Sequence, residues 1–172
     1  MGNTMVKKLH SMRWLEAQGI PYEVLAFPDS IHSAVGVAAY YSLPPTQVYK
    51  TLVVVLAPGK PALVLIAADR ELQLKRLAQA LGAKKPRMAT QKEAEAWTGL
   101  KVGGISALAL SHRAFPVYID RPATTLDEII VSAGQRGLDL RLSVPALVRV
   151  TGATFVEATT PPEELCSRRE SV

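Results

Sequence analysis

Apolar positions recur along this chain in two rhythms, one helical and one extended. In residues 5–18, Met5, Leu9, Met12 and Leu15 form one stripe and Gly19 follows as a stop, which predicts an amphipathic helix. Residues 22–27 predict a short strand closed by Pro28. Ser33 is placed to cap a second helix reaching residue 41, although Gly36 stands where a capping box carries Glu; Pro44-Pro45 ends the unit. Two apolar runs, 49–57 and 62–68, are short, rich in β-branched residues and joined by Pro58-Gly59-Lys60-Pro61, the pattern of two buried strands in a hairpin.

Helical spacing returns with Leu74, Leu77, Ala78 and Leu81, with Gly82 at the place of a C-terminal cap, and again over 91–97. Segment 102–106 carries two adjacent glycines. Strands are expected at 116–120, 127–133 and 138–142, the last two joined by the turn Gly134-Gln135-Arg136-Gly137. Ser143 with Pro145 two residues later opens a final helix, residues 153–158 form an edge strand, and 160–172 are polar and loosely held. Strands occur both as hairpins and with intervening helices, so the sheet is expected to be mixed and the fold α/β of the α+β type. One domain over 5–158 is expected, with residues 1–4 and 159–172 as extensions and Met5 as an alternative start.

Composition narrows the class. The chain has 172 residues, 48% of them hydrophobic and 20% charged, which suits one compact core and argues against extensive disorder. No apolar stretch is long enough to span a membrane, and the N-terminus reads neither as a secretory signal nor, with Val6 where Ser or Thr is needed, as a myristoylation site. The single cysteine, Cys166, allows no internal disulfide, in keeping with a reducing cytoplasm. His10, His32 and His112 lack metal-ligand spacing, so neither a metal nor any other cofactor is expected. A net charge of +5 suits a polyanionic partner, although many basic cytoplasmic proteins share it. There is no phosphate-binding GxxxxGK[ST] loop, no GxGxxG after a strand and no GxSxG elbow. At this level the reading is a soluble basic α/β domain.

Four segments carry more. They are Val48-Tyr49-Lys50-Thr51-Leu52, Ala80-Leu81-Gly82-Ala83-Lys84-Lys85, Gly103-Gly104-Ile105-Ser106, and the stretch from Val131 to Asp139 that reads VSAGQRGLD. In this order and at these separations the chain resembles the YbaK/prolyl-tRNA-synthetase-associated family, over roughly residues 6–156. The resemblance implies a mixed sheet curled into a partial barrel surrounded by helices. It also implies hydrolysis, in trans, of the ester joining a small wrong amino acid to tRNA, most often Cys or Ala on the tRNA for proline. Mischarged tRNA is then the partner, with prolyl-tRNA synthetase as a second one, and the protein a cytoplasmic monomer or weak homodimer without a membrane role.

The resemblance also places the chemistry. Lys50 matches the family's functional lysine; its bland alternative is a strand-end lysine in solvent. Gly103 and Gly104 would aim backbone N–H groups at the tetrahedral oxyanion, although paired glycines more often mark a bulge or a tight crossing. Ser132 and Asp139 flank the glycine turn and match pocket positions: Asp139 for the substrate α-ammonium, Ser132 for a hydrogen bond to substrate or water. Mutual turn stabilisation is their equal alternative. Thr51, on the opposite strand face from Lys50, along with Ser106 and Gly134, completes the expected substrate contacts.

Lys84, Lys85 and Arg87 form a candidate tRNA contact, or else a solvated helix end. No side chain is an evident nucleophile. In this family a cysteinyl substrate can attack its own ester through its thiol, whereas an alanyl substrate needs a bound water. The chain departs from the family pattern after Ser106, with Ala107, Leu108 and Ala109 where Pro, a variable residue and Gly are usual. That departure leaves open a module that binds tRNA or a synthetase without turnover, and hydrolysis of some other small acyl ester.

Overall fold

The computed structural model describes residues 7–161. Met5 and Cys166 lie outside that range, so the expectations attached to them do too. Among the described residues, eight strands form two ladders. The three-stranded one has the order β1 (Glu23–Ala26), β7 (Leu138–Ser143), β6 (Glu128–Gln135). The five-stranded one has the order β4 (Arg87–Met88), β2 (Tyr49–Ala57), β3 (Lys60–Ala67), β5 (Val117–Asp120), β8 (Thr154–Val156). The pairings β3·β5 and β5·β8 are parallel and the rest antiparallel, so the sheet is mixed, as the alternation of hairpins and helices implied. A single parallel bridge between Val48 and Ile130, with the Ile130 N–H donating to the Gln47 carbonyl at 3.0 Å, joins the ladders into the expected partial barrel.

The unbroken apolar runs of β2 and β3 follow from burial on both faces. Val53, Leu63 and Leu65 face the main core with Ile129, Val131, Leu140 and Leu142 of the other ladder. Val54, Val64 and Ile66 face outward under Leu77 of α3 (Leu74–Leu81). A third cluster sets Val37 and Ala38 of α2 (Ala34–Tyr40) on Leu25, Val48 and Ile130. Helix α1 (His10–Ala17) is pinned to β6 by the buried Ser11 hydroxyl, which donates to the Ala133 carbonyl at 2.6 Å.

Local signals place most boundaries. Ser33 caps α2 through the Gly36 N–H, and Ser143 caps α5 (Val144–Thr151) through the Ala146 N–H. Helix α4 (Gln91–Thr98) begins with a full capping box between Thr90 and Glu93. The edge strand expected at 153–158 is three residues long. After it, Thr159 and Thr160 are buried and Thr159 bridges Leu72, so the packed body runs past residue 158. Between α4 and β5 the chain forms turns that plug one side of the barrel with Ile105, Ala107, Leu108 and Leu110, all buried. Among the described residues no helix is long and apolar enough to cross a membrane.

Candidate active site

The start of β2 opens on a cavity of about 360 Å³, within the range of small-molecule sites. Its apolar wall includes Phe27, Ile31, Val37, Leu52 and Ile105; its polar lining includes His32, Lys50, Thr51, Ser132 and Asp139, with Gly103 at the rim. Residues 53, 82 and 89 positions away from Lys50 thus meet it in one hollow. The sheet explains how: β2 and β6 touch at the Val48–Ile130 bridge, and β6 pairs with β7 so that Ser132 stands opposite Asp139.

Lys50 is half-buried, and its Nζ donates to the Ala68 carbonyl at 3.4 Å. That single long bond leaves the ammonium other donors to turn toward a ligand. Thr51 contributes a buried Oγ1 that has no hydrogen-bond partner among the described residues. Asp139 is 8% exposed, and no ion pair or hydrogen bond to its carboxylate occurs among the described residues. Burial alone pushes its pKa up to about 7, from an ordinary value near 3.8. Ser132 Oγ accepts from the Gly134 N–H at 3.2 Å, which keeps its own proton for another acceptor.

The two adjacent glycines do different jobs. Gly103, at φ +93°, lines the cavity beside the Arg136 side chain, whose Nε donates to the Val102 carbonyl at 2.8 Å. The Gly104 N–H is taken by the Lys101 carbonyl at 2.8 Å, and a Cβ there would meet the backbone of Gln135 and Arg136 at 3.0–3.2 Å. Gly104 therefore permits a tight crossing, and the oxyanion expectation falls on Gly103 alone.

Ser106 and Gly134 stand outside the lining. Ser106 is buried and accepts from the Ala109 N–H at 3.1 Å. Gly134, at φ +110°, sits in a bulge of β6, and a Cβ on it would lie 2.8 Å from that of Ala109. The unusual Ala107-Leu108-Ala109 stretch is thus spent on packing: Ala107 and Leu108 are buried, and none of the three lines the cavity.

Lys84 and Lys85 are exposed beyond α3. Arg87, on β4, forms a two-pronged bond with Glu93 at 2.7 and 2.9 Å. Strand β4 pairs with Val54 and Val55, four or five residues along β2 from Lys50, on the order of 13–16 Å at the usual strand rise. This cluster and the cavity are separate places. The wall contributed by residues 27–37, His32 included, has no counterpart among the expected site residues. His32 carries no local signal beyond its type, and it reaches the cavity only because α2 folds over the start of β2.

Comparison with known proteins agrees with this geometry. Residues 29–150 match the model of the aminoacyl-tRNA editing domain. A protein of Enterococcus faecalis, provisionally named the Cys-tRNA(Pro)/Cys-tRNA(Cys) deacylase EbsC, is 36% identical over 156 residues, covering 90% of this chain and 94% of that one. A proline–tRNA ligase of Solidesulfovibrio magneticus is 37% identical over 112 residues, which are 64% of this chain and 19% of the ligase. A crystal structure provisionally described as a trans-editing enzyme for prolyl-tRNA synthetase superposes with a TM-score of 0.76 at 25% identity, over 90% of this chain and all of the other. The chain belongs to the aminoacyl-tRNA editing domain family.

Proposed function

We propose that this protein is a trans-acting aminoacyl-tRNA deacylase, a hydrolase that cleaves the ester of mischarged tRNA, with Cys-tRNA(Pro) as its first candidate substrate. The observation that carries this is the meeting, in one cavity of an editing-domain chain, of a cationic Lys50 and an unpaired buried Asp139. Lys50 binds the terminal phosphate or the ester carbonyl and orients the ester. Asp139, once ionised, receives the substrate α-ammonium. That contact replaces the missing cation and favours the charged form of both groups.

Gly103 offers its N–H to the oxyanion, Ser132 and Thr51 hold the aminoacyl group or a water, and Gly104, Ser106 and Gly134 fix the walls. Lys84 and Lys85 touch the tRNA backbone farther from the ester. The protein works in the cytoplasm as a monomer or weak homodimer, with prolyl-tRNA synthetase as the partner that supplies its substrate.

The test is deacylation of Cys-, Ala-, Ser- and Pro-tRNA(Pro), with Lys50→Ala as control. Release from one mischarged species, slowed on the order of 10²–10³-fold in the variant while its melting is unchanged, supports the reading. Release from none, or release that survives Lys50→Ala, removes it. Equal rates for cysteinyl and seryl esters would exclude attack by the substrate thiol and assign the step to water.

A further inference from the structure

The five-stranded ladder has a second cavity, of about 300 Å³, at the end where Lys50 lies. The parallel strands β3, β5 and β8 all finish there, at Ala67, Asp120 and Val156. Three arginines that the sequence scatters line it together: Arg70 just past β3, Arg76 on α3 and Arg121 just past β5. Among the described residues, two carboxylates line it as well. Asp120 is 1% exposed; its oxygens accept the Ala158 N–H at 2.9 Å and the Thr159 hydroxyl, and Oδ2 stands 3.9 Å from Arg70 Nη1, so its charge is shared between the segment after β8 and Arg70. Glu157 is exposed, 3.9 Å from Arg121 Nε, and can yield to a stronger anion. Arg70 is held in place by Thr159 Oγ1 at 3.0 Å.

The cavity adjoins the active site. Lys50 pairs with Ile66, Leu65 with Ile119, and Asp120 with Val156, so Asp120 stands two inter-strand spacings from Lys50, roughly 10 Å. Arg70 lies two residues past Ala68, whose carbonyl takes the Lys50 ammonium. Guanidinium forks match phosphate oxygens better than a lysine's point charge does, and arginine stays charged at every working pH.

We propose that this arginine cavity grips the backbone phosphates of the single-stranded 3′ end of tRNA, just before the terminal nucleotide whose ester reaches Lys50. The proposal rests on tRNA being the substrate. It assigns a division of labour: the arginine cavity reads the single-stranded tail, and the Lys84-Lys85 cluster touches the duplex.

The experiment measures binding of two uncharged RNA hairpins, one with a single-stranded 3′ tail and one blunt, over a range of salt concentrations. The proteins are wild type, Arg76→Ala/Arg121→Ala, Arg121→Ala alone and Lys84→Ala/Lys85→Ala. Arg121→Ala alone serves where the double variant is poorly folded, since the Arg121 side chain is 58% exposed. The expected result is about tenfold weaker binding of the tailed hairpin to the arginine variants. The slope of log K against log salt should fall by about 0.7 for each phosphate the variant no longer grips, with the blunt hairpin unaffected. The lysine variant should weaken both hairpins alike. Arginine variants that match wild type, that weaken both hairpins equally, or a wild type that does not prefer the tail would each overturn the proposal. A wild type that holds the tail through the arginines yet releases no amino acid from charged tRNA would keep this cavity and remove the deacylase reading.

Discussion

Two buried aspartates, nineteen positions apart in sequence, live under opposite regimes. Asp120, at the end of β5, has both carboxylate oxygens occupied and Arg70 at 3.9 Å. Asp139, on β7, has no partner for its carboxylate among the described residues, and burial pushes its pKa up to about 7. A satisfied buried charge ties elements together: here Asp120 fastens the segment after β8 to the ends of β3 and β5. An unsatisfied one costs stability unless something outside the fold completes it, which is why such groups mark sites. The difference separates a clamp from a candidate site inside one small domain, and each of the substitutions below tests one side of it.

The largest effect belongs to Asp139→Asn. Deacylation is expected to fall about a hundredfold or more, because the neutral amide cannot pair with an α-ammonium. Stability should move the other way. The folded protein holds a proton on Asp139 that the unfolded chain releases near pH 4, so the folded state binds more protons between about pH 4 and pH 7. Wild-type stability therefore declines as pH rises through that window, by up to about 4 kcal/mol for this group. The asparagine variant escapes the decline: it should be more stable than wild type at pH 8 and gain little at pH 4. Urea titrations at both pH values check this. A variant that is inactive and also less stable at pH 8 would make Asp139 a structural residue.

Asp120→Asn comes next. It leaves Arg70 short of its counter-charge and weakens the acceptor for Thr159, at a cost of about 3 kcal/mol. Thermal unfolding should show the loss, while ester cleavage per folded molecule at saturating tRNA stays largely intact, because Asp120 lines the arginine cavity and not the cavity that holds Lys50 and Asp139. If activity falls with stability unchanged, Asp120 belongs to the site and the contrast between the two carboxylates collapses.

The same contrast shows how far the sequence could be read. Short β-branched runs located β2 and β3, and the glycine turn located the β6–β7 hairpin, in which Ser132 does face Asp139. Lys50, Gly103 and Asp139 could be singled out because they lie in contiguous motifs, and all three line the cavity. What stayed hidden is whatever depends on distant segments meeting. The Gly104 N–H is lost to Lys101, and Gly104 itself is required by the hairpin backbone thirty-odd residues later. Lys84-Lys85 is conspicuous in one dimension, whereas Arg70, Arg76 and Arg121 become a cluster only once three parallel strands end together. Arg87, counted with the lysines, is already bonded to Glu93.

A smaller effect tests the bulge of β6 that follows Ser132. Gly134→Ala would force a positive-φ position on alanine and press its Cβ to 2.8 Å from that of Ala109, costing on the order of 1–3 kcal/mol. Replacing Ala109 by Gly in the same chain should recover the steric part and leave the backbone part. A double variant no more stable than Gly134→Ala alone would mean that this close approach is not the source of the strain.

The smallest effect is a control for the pH dependence. Ser143 caps α5 by accepting the Ala146 N–H at 3.2 Å, and this interaction involves neither aspartate. Ser143→Ala should cost about 1 kcal/mol through the orphaned N–H. No charge is added or removed, so that cost should be the same at pH 5 and pH 8. Asp139→Asn, in contrast, should diverge from wild type as pH rises between them. A Ser143→Ala difference that varied with pH would mean that the substitution disturbs a titrating group and is no neutral reference, because a decline common to both proteins cancels in the difference. If it stays flat while Asp139→Asn diverges, the titrating group is Asp139, and the carboxylate without a partner is where the molecule waits for one.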